Sequence, residues 1–429
     1  MTLIQAPISW WIEANDHEDF PLHNLPLGIF SQKNGPRQPG VALGEHILDL
    51  QALEATGLLS GLAQRAVQAC ADGYLNGLFE QGPGPRKALR ERLLALLGQG
   101  AIEQALVRPC LIPAVDCDMH LPARVGDYTD FYVGIEHARN VGRLFRPDSP
   151  LLPNYKYLPV AYHGRASTLR VSGVQVRRPR GQRLRPGASE PEYGPCAKLD
   201  FELELGIWLG QGNVQGEPLP IASAGEHIAG FCLLNDWSAR DLQAWEYQPL
   251  GPFLSKSFIT TLSPWVITPE ALAPFRSAQP PRPAGDPAPL PYLWNDEDQR
   301  RGALAVELEV LLHTPLMRQQ GQAPERISLS HTRHMYWTVA QMVAHHTANG
   351  CQLQAGDLFG SGTLSGPAPS QLGSLLEMTL GGAQPLTLVN GEQRYFLEDG
   401  DEVILRARCH KEGVGRLGFG ECRGRITSA

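Results

Sequence analysis

Residues 199–205 have the sequence LDFELEL, in which apolar and acidic side chains alternate. Because successive side chains point to opposite faces of a β-strand, this stretch predicts a strand with Glu202 and Glu204 on one face and its apolar residues on the other. The residues that follow, GIWLG at 206–210, are also apolar. Two neighbouring carboxylates repel each other unless a cation or a proton lies between them. The pattern leaves two interpretations open, an ordinary strand with its acidic face in water and a metal site.

The composition of the chain predicts an ordinary globular protein. It has 429 residues, of which 42% are hydrophobic and 19% are charged, and its formal net charge is −7. This length is enough for two domains, and the negative charge argues against a nucleic-acid or acidic-membrane partner. No apolar run approaches the ~18 residues of a membrane-spanning helix, and no secretory signal is visible at the N-terminus. We therefore expect neither a membrane nor a nucleic acid among its partners.

The eight cysteines are scattered along the chain, and none forms a C-x-x-C pair. This usage is typical of a reducing compartment, so we expect a cytoplasmic protein without a disulfide framework or a zinc site. Glycine and proline are both frequent, at 45 and 36 residues. With so many turn residues between short apolar runs, the sequence predicts a β-rich, loop-rich fold.

The chain is predicted to contain two domains, 1–117 and 118–429. In the first, residues 27–30 and 41–44 are typical of short strands, and residues 86–97 carry the apolar stripe of a helix. No cluster of catalytic residue types lies there. We expect a small β-barrel with some helices that acts as a support or interface domain.

The second domain is predicted to begin with a helix over residues 132–145 and to continue with many short strands. Residues 330–350 give the clearest helical pattern, with Ser330 as the N-cap and Gly350 at the C-terminal stop. Two histidines in this helix, at positions 345 and 346, could be metal ligands, but without an H-E-x-x-H pattern packed or hydrogen-bonded histidines are favoured. The arginines between residues 177 and 185 are favoured as a solvated loop over a nucleic-acid patch.

Four acidic residues at the ends of predicted elements are candidate metal ligands. Asp130 precedes the first helix of the second domain, and Asp236 ends the apolar run 231–236. Together with Glu202 and Glu204 they would form an all-oxygen site, which suits a hard divalent cation such as Mg²⁺ or Ca²⁺. Their co-location is a hypothesis that spacing alone cannot prove.

His137 is a candidate general base. It lies seven residues after Asp130, which is about two turns if the segment is helical, so both would face the same way. A histidine has an unperturbed pKa near neutrality and can take a proton from water, although a histidine on the surface of a helix is the ordinary alternative. Such a base needs an acceptor on its other nitrogen, and Glu377 is one candidate.

Donors for a developing negative charge follow Asp236 in the sequence. Arg240, Gln243 and Lys256 could stabilise an oxyanion in a dry cleft, or the two cations could simply balance the acidic site. The sequence contains no G-x-S-x-G elbow, no Walker A motif and no Rossmann fingerprint opening a helix, so no organic cofactor is expected. The run Gly360-Ser361-Gly362 is interpreted as a turn.

Taken together, the longer motifs resemble the fumarylacetoacetase family. The resemblance is dense from about residue 120 to the C-terminus. It is carried by residues 127–132 (DYTDFY), His137, 140–142 (NVG), 158–160 (LPV), 162–167 (YHGRAS), 235–241 (NDWSARD), Gln243, 245–247 (WEY), 249–253 (PLGPF), 256–258 (KSF) and 360–363 (GSGT).

The resemblance implies a mainly β (α+β) protein with a small SH3-like N-terminal β-barrel followed by a C-terminal mixed β-sandwich roll of the fumarylacetoacetase type. It also implies a homodimer. The implied reaction is the hydrolysis of a carbon–carbon bond in 4-fumarylacetoacetate, a small β-diketo acid, to fumarate and acetoacetate. This is the last step of tyrosine and phenylalanine breakdown.

The resemblance also implies a role for each matched position. The metal ligands are Asp130, Glu202, Glu204 and Asp236. The base that activates water is His137, with Glu377 as its orienting partner, and the oxyanion donors are Arg240, Gln243 and Lys256. The substrate-binding positions are Tyr132, Arg146, Tyr162, Gln243, Tyr247 and Thr363. A second, structural cation site is implied at Lys256 and Thr260, although Ile259 stands where the family usually has glycine.

Two alternatives remain at this point. The first is another β-keto-acid enzyme of the same superfamily, such as an acylpyruvate hydrolase, an oxaloacetate decarboxylase or an enol hydratase. The second is a protein in which the carboxylates bind a cation but nothing is turned over. His137 with Glu377, and the length for two domains, favour the fumarylacetoacetase reaction.

Overall fold

The computed structural model describes residues 17–429. Within these residues the strands form three larger sheets and four two-stranded ones, and most of the helices are short. The prediction of a mainly β, α+β fold is confirmed. Among the described residues, no helix combines the length and the apolar character needed to cross a bilayer.

The N-terminal part forms a five-stranded sheet with the order β4-β3-β2-β1-β5, covered by helices. Its strands are β1 (Leu27–Gln32), β2 (Gln38–Leu43), β3 (His46–Asp49), β4 (Leu111–Pro113) and β5 (Cys117–His120). Its helices are α1 (Leu50–Ala55), α2 (Gly61–Gln68), α3 (Asn76–Glu80), α4 (Pro83–Leu97) and α5 (Gln104–Val107). The sheet is open, with β4 and β5 at its edges, so the closed SH3-like barrel stays a prediction. The predicted boundary between residues 117 and 118 falls inside β5.

The remainder of the chain carries the other strands and helices. The strands are β6 (Tyr128–Phe131), β7 (Ala161–His163), β8 (Leu169–Val171), β9 (Val174–Arg177), β10 (Arg180–Arg183), β11 (Glu192–Pro195), β12 (Leu199–Asp200), β13 (Leu203–Leu209), β14 (Ile228–Asp236), β15 (Ser238–Ala239), β16 (Thr260–Leu262), β17 (Arg276–Ser277), β18 (Ala303–Leu304), β19 (Glu307–His313), β20 (Glu325–His331), β21 (Leu358–Gly360), β22 (Leu386–Thr387), β23 (Gln393–Arg394), β24 (Glu402–Lys411) and β25 (Gly415–Thr427). The helices are α6 (Ile135–Phe145), α7 (Ile221–Ala224), α8 (Arg240–Glu246), α9 (Pro269–Leu272), α10 (Asp296–Arg301), α11 (Pro315–Gln319), α12 (Val339–Thr347) and α13 (Leu375–Met378). Single 3-10 turns are found at Arg108–Cys110, Ala114–Asp116, Ala166–Thr168, Gly225–His227, Ala273–Phe275, Pro291–Leu293, Thr332–His334 and Pro369–Gln371.

A seven-stranded mixed sheet, with the order β7-β6-β21-β13-β14-β16-β8, is the centre of this part. Strands β14 and β16 contact β24 and β25 of a five-stranded sheet with the order β20-β19-β24-β25-β9. Leu205 of β13 points into the apolar core shared with that second sheet. Trp208, on the opposite face of β13, packs into the core that the N-terminal helices form. Both faces of the central sheet are therefore covered.

Polar contacts also connect the N-terminal part to the remainder of the chain. Leu27 and Val266 exchange backbone hydrogen bonds of 3.0 and 2.7 Å. Arg86 of α4 donates through Nε and Nη2 to the carboxylate of Glu270 in α9, at 2.9 and 3.0 Å. A largely buried bidentate pair of this kind has a defined geometry, so it holds the two parts in one arrangement.

The prediction of a single strand over residues 199–205 is wrong in one respect. The stretch forms two strands, with a break at Phe201 and Glu202. The amide of Phe201 donates to the side chain of Asp200 at 2.9 Å, and the amide of Glu202 donates to the side chain of Asn235 at 3.1 Å. These side chains replace the backbone acceptors of a continuous ladder. The interpretation of a solvated acidic face is also wrong, since Glu202 and every residue of β13 are buried.

The predicted helix over residues 330–350 is shorter, and its cap is a different residue. Ser330 lies in β20, paired with β19, and the helix is α12, with Thr338 as its N-cap. Thr338 and Gln341 form a reciprocal capping box. Similarly, the helix predicted from residue 132 begins at Ile135, after Gly134.

Candidate metal centre and active site

The four predicted acidic residues meet at one end of the central sheet. Asp130 lies in β6, Glu204 in β13 and Asp236 at the end of β14, while Glu202 lies just before β13. Ligand atoms from all four lie within 4.8 Å of one another, and all four residues are buried. The co-location predicted from the sequence is confirmed. We call these residues the carboxylate cluster.

Positive and hydroxyl groups contact only part of the carboxylate cluster. The Nζ of Lys256 lies 2.5 Å from Glu202 and 2.7 Å from Asp236. Thr260 and Tyr162 donate hydroxyl hydrogen bonds to the two oxygens of Asp236, at 2.7 and 3.0 Å. Burial alone would raise the pKa of Glu202, but Lys256 and then Arg240 outweigh it and lower that pKa. Two of the four carboxylates are therefore well supplied with donors.

The other two carboxylates, Asp130 and Glu204, have fewer donors. One oxygen each of Asp130 and Glu204 is buried without a hydrogen-bond partner. Burial, followed by the charge of Asp236, raises the pKa of Asp130 well above its ordinary value. Burial, followed by the charge of Asp130, does the same for the pKa of Glu204. Unpaired buried carboxylate oxygens are costly, and an all-oxygen donor set is what Mg²⁺ and Ca²⁺ prefer. The residues present therefore fit a hard divalent cation.

Gly360 keeps this space open. It lies in β21, between β6 and β13, opposite Asp130 in the register. A Cβ at this position would lie 2.6 Å from Oδ1 of Asp130 and 2.8 Å from Oε2 of Glu204. Two residues later, the amide of Gly362 donates to Oε2 of Glu204 at 3.0 Å. The run that we interpreted as a turn from its sequence is therefore a strand end that borders the cluster.

His137 and Glu377 form a buried pair beside the cluster. Nδ1 of His137 lies 2.7 Å from Oε2 of Glu377, and both side chains are nearly inaccessible to water. Asn140 donates to the other oxygen of Glu377 at 2.9 Å. Burial alone would raise the pKa of Glu377, but the interactions with His137, and then the hydrogen bonds from Asn140 and Ser365, lower it. A charged Glu377 fixes the proton of His137 on Nδ1, which leaves Nε2 as the basic nitrogen.

Arg240 begins α8 and lies beside Glu202. Its Nη1 is 2.8 Å from Oε1 of Glu202 and also donates to Oε1 of Gln243 at 3.1 Å. Its Nε donates to Asp200 at 2.9 Å. The remaining nitrogen, Nη2, is buried and has no hydrogen-bond partner. The guanidinium thus balances an acidic residue and still has one donor to offer, so the two predicted roles are compatible.

Among the remaining predicted positions, only Tyr132 contacts His137 directly, and the other three lie on segments that also carry residues of the site. Tyr132 packs edge-on against the ring of His137, with the ring centroids 5.4 Å apart. Arg146 follows α6, and its buried Nε has no hydrogen-bond partner. The hydroxyl of Thr363 is likewise buried and unpaired. Tyr247 follows α8, the helix that carries Arg240 and Gln243.

Several polar residues of this site were missed by sequence reasoning. Ser365 and Ser374 both donate to Oε2 of Glu377, at 2.8 and 2.9 Å. Asp200 is fully buried and accepts four hydrogen bonds. Only the position of Asp200, two residues before Glu202, was a usable signal in the sequence. The serines lie more than 200 residues from His137 in the chain, so pattern alone could not connect them.

The two histidines of α12 are hydrogen-bonded, as favoured from the sequence. His346 contacts the hydroxyl of Thr129 at 3.0 Å, and His345 contacts the hydroxyl of Tyr292 at 3.0 Å. Over residues 17–429, neither belongs to a group of residues that could hold a metal ion.

Two family models match the chain. Residues 128–427 match the model described as Fumarylacetoacetate (FAA) hydrolase C-terminal, and residues 23–122 match the model described as Fumarylacetoacetase N-terminal. Together they span nearly the whole sequence.

Curated proteins of similar length are similar to this chain from end to end. Fumarylacetoacetase of Homo sapiens is 45% identical over 424 residues, which cover 98% of this chain and 99% of that protein. Fumarylacetoacetase of Oryza sativa subsp. japonica is 43% identical over 434 residues, which cover 99% of this chain and 98% of that protein. Among solved structures, fumarylacetoacetate hydrolase from psychrophilic Exiguobacterium antarcticum has a TM-score of 0.50 at 16% identity, covering 94% of this chain and 100% of that chain. At this identity the likeness speaks for the fold alone.

Proposed function

The chain belongs to the fumarylacetoacetase family, and we propose on this basis that it hydrolyses a carbon–carbon bond of 4-fumarylacetoacetate to give fumarate and acetoacetate. This reaction is the last step of tyrosine and phenylalanine breakdown. The observation that carries the proposal is the buried carboxylate cluster beside the pair of His137 and Glu377. Acidic ligands and a general base are the groups that metal-assisted hydrolysis requires.

Asp130, Glu202, Glu204 and Asp236 would hold the cation, which would be Mg²⁺ or Ca²⁺. The unpaired buried oxygens of Asp130 and Glu204 support this assignment. When bound, the cation polarises the substrate carbonyl and holds the two oxygens of the β-diketone in a fixed orientation.

His137 is the general base. Glu377 accepts a hydrogen bond from the Nδ1–H group of His137, so Nε2 can take a proton from water. The resulting hydroxide adds to the carbonyl carbon next to the bond that breaks. The electron pair of that bond leaves with the acetoacetate carbon, which then takes up the proton that His137 had removed from water. The short, buried contact between His137 and Glu377 supports this role, since a base must be held in one orientation.

Arg240, Gln243 and Lys256 stabilise the alkoxide that forms when hydroxide adds. The unpaired Nη2 of Arg240 is the clearest support, because a buried donor without a partner is ready for a charge that develops on the substrate. Lys256 is held between Glu202 and Asp236 at the same site. Burial alone would lower the pKa of Lys256, but these two carboxylates raise it, so its ammonium group stays charged.

The substrate is bound by Tyr132, Arg146, Tyr162, Gln243, Tyr247 and Thr363. Arg146 pairs with a terminal carboxylate of the substrate, and its unpaired buried Nε supports this contact. Thr363 has an unpaired buried hydroxyl that suits a polar substrate atom.

A second, structural cation site at Lys256 and Thr260 is also part of the proposal. The ammonium group of Lys256 and the hydroxyl of Thr260 already donate to Asp236. Lys256 would therefore contribute its backbone carbonyl, the oxygen that a hard cation prefers.

We further propose two domains, 1–117 and 118–429, with an SH3-like N-terminal barrel that supports a C-terminal β-sandwich roll. The protein forms a homodimer in the cytoplasm. The eight cysteines are unpaired, which supports a reducing compartment. Leu250 and Phe253, which are 96% and 67% exposed, support an interface near the end of α8.

The reaction is tested with purified protein and 4-fumarylacetoacetate, with fumarate measured by chromatography. Fumarate is expected to form in the presence of Mg²⁺ or Ca²⁺, to stop on chelation and to return when the cation is restored. An acylpyruvate and oxaloacetate serve as comparison substrates. Turnover of either comparison substrate without turnover of 4-fumarylacetoacetate would contradict the assignment, as would an inactive cation-loaded protein.

A further inference from the structure

We propose that Asp200 is a positioning residue that holds both Arg240 and the turn that carries Glu377, and so aligns the alkoxide donor with the general base. The inference rests on the proposed function. Asp200 contacts no cluster oxygen in the described hydrogen-bond network, and its side chain is completely buried. Its importance lies in what its two carboxylate oxygens hold together.

The first contact of Asp200 orients Arg240. Nε of Arg240 donates to Oδ2 of Asp200 at 2.9 Å, while Nη1 is engaged by Glu202 and Gln243. Because a guanidinium is planar, fixing Nε and Nη1 also fixes the direction of the unpaired Nη2. Without Asp200 the guanidinium could turn about its remaining contacts, and Nη2 would no longer have one position.

The second contact orients Glu377. The amide of Leu375 donates to Oδ1 of Asp200 at 2.8 Å, and the amide of Leu376 donates to Oδ2 at 2.9 Å. These are the first two amides of α13, the turn whose third residue is Glu377. An α-helix this short has little stability of its own, so its position depends on such contacts. Asp200 thus fixes the backbone from which Glu377 reaches His137.

The chemistry of the site calls for a carboxylate at this position. Four donors converge on Asp200, since the amide of Phe201 also donates to Oδ1 at 2.9 Å. An ionised carboxylate is an acceptor on both oxygens. An asparagine would keep the shape but place an NH₂ group against two of these donors. The Asp200→Asn variant is therefore expected to misplace Arg240, α13 or both.

The test compares Asp200→Asn with Asp401→Asn in the full-length, cation-loaded protein. Asp401 is a matched control, because it is also fully buried and also accepts from an arginine, Arg394, and from a backbone amide, that of Glu398. Both variants are expected to lower the unfolding temperature. Only Asp200→Asn is expected to lower kcat per folded, cation-loaded site, by about 10- to 100-fold, with KM little changed. Equal kcat in the two variants would overturn the proposal.

A double-variant cycle separates the two contacts. If Asp200 acts through Arg240, Asp200→Asn should cost less in an Arg240→Lys background than in the wild-type background. The residual loss reports the contact with α13. Fully multiplicative effects of the two substitutions would contradict the contact with Arg240.

A spectroscopic measurement makes the inference independent of turnover. The Nδ1 proton of His137, held by Glu377, is expected to give a far-downfield proton NMR signal that His137→Asn removes. Asp200→Asn should shift or broaden this signal, whereas Asp401→Asn should leave it unchanged. If the wild-type protein fails to hydrolyse 4-fumarylacetoacetate, the proposed function falls, and this signal still decides the role of Asp200. An unchanged signal in Asp200→Asn would refute the contact with Glu377.

Discussion

Two groups of buried charges in this protein are built from the same residue types but differ in how completely they are paired. In the first, the carboxylate cluster, Lys256 and Arg240 serve part of the four carboxylates, and oxygens of Asp130 and Glu204 remain unpaired. In the second, Arg394 donates to both oxygens of Asp401, at 2.9 and 3.0 Å, and to Glu392 at 3.0 Å. We call Arg394, Glu392 and Asp401 the Arg394 cluster.

The difference separates a structural charge group from a functional one. In the Arg394 cluster the donors and acceptors satisfy each other, so the group is complete within the chain. The carboxylate cluster is incomplete, and unpaired buried carboxylate oxygens destabilise the protein unless a ligand completes them. Sites that bind and react are expected to keep such unsatisfied atoms, whereas sites that only stabilise are not.

The largest expected effect is at the basic nitrogen of His137. Because Nδ1 is held by Glu377, His137→Asn removes the nitrogen that we propose takes a proton from water. We expect kcat to fall by about 10²- to 10⁴-fold, with cation affinity nearly unchanged. Steady-state kinetics and cation titration by calorimetry measure the two quantities. Retained activity would remove His137 as the base.

The same amide substitution in the two clusters should change stability in opposite directions. Asp401→Asn places an NH₂ group against donors of Arg394 that Asp401 now accepts from, so the free energy of unfolding should fall by about 1–3 kcal/mol. Glu204→Gln removes a repelling charge, so the cation-free variant should be about 1 kcal/mol more stable than the cation-free wild type. Urea unfolding in chelator measures both.

Added cation should reverse the order at Glu204. At a cation concentration of about 100 times Kd, the wild type should gain about 2.7 kcal/mol, whereas Glu204→Gln should gain much less because one charged ligand is lost. Unchanged cation affinity in Glu204→Gln would exclude Glu204 as a ligand. A destabilised cation-free Glu204→Gln variant would contradict the difference between the two clusters.

Arginine-to-lysine substitutions should separate turnover from stability. Arg240→Lys replaces the planar fork with a single ammonium group and loses the directed Nη2, so kcat should fall by about 10²- to 10³-fold. Arg394→Lys should lower stability but leave kcat per folded protein unchanged, because the nitrogens of Arg394 are engaged within the chain and lie outside the proposed active site. Kinetics on both variants, normalised to folded protein, check this pair. Similar kcat values would show that the unpaired nitrogen has no role.

A smaller effect is expected at Gly360. A methyl group there would lie against Asp130 and Glu204, at 2.6 and 2.8 Å, so Gly360→Ala should weaken cation binding by about 10- to 100-fold. Gly194→Ala, in β11, is the matched control, since its Cβ would approach no atom closer than 3.6 Å. Isothermal titration with Mg²⁺ and Ca²⁺ measures both variants. Equal affinities would mean that the space beside Gly360 is not the cation site.

Local patterns in the sequence predicted individual elements well but placed some of their ends wrongly. The strands predicted at residues 27–30 and 41–44 both exist, but β1 extends to Gln32 and β2 runs from Gln38 to Leu43. The helix predicted from Ser330 begins at Val339 instead, because Ser330 pairs across a sheet and Thr338 provides the cap. A serine can cap a helix or lie in a strand, and only its pairing partner decides which.

The sequence by itself determined the residue types of the site and the family. The alternation around Glu202 and Glu204, the acidic ends at Asp130 and Asp236, and the long motifs were all readable along the chain. Such features depend on side-chain identity and on short spacings, which folding does not change.

Only the tertiary structure decided which of these groups stay unsatisfied. The pattern of residues 199–205 fits a wetted strand equally well, and its burial follows from the two cores that cover the central sheet. The role of Gly360 and the contacts of Asp200 with Arg240 and α13 join segments far apart in the chain. A hydrogen bond or an unpaired oxygen is a property of the space between side chains, and that space exists only once distant strands have packed together.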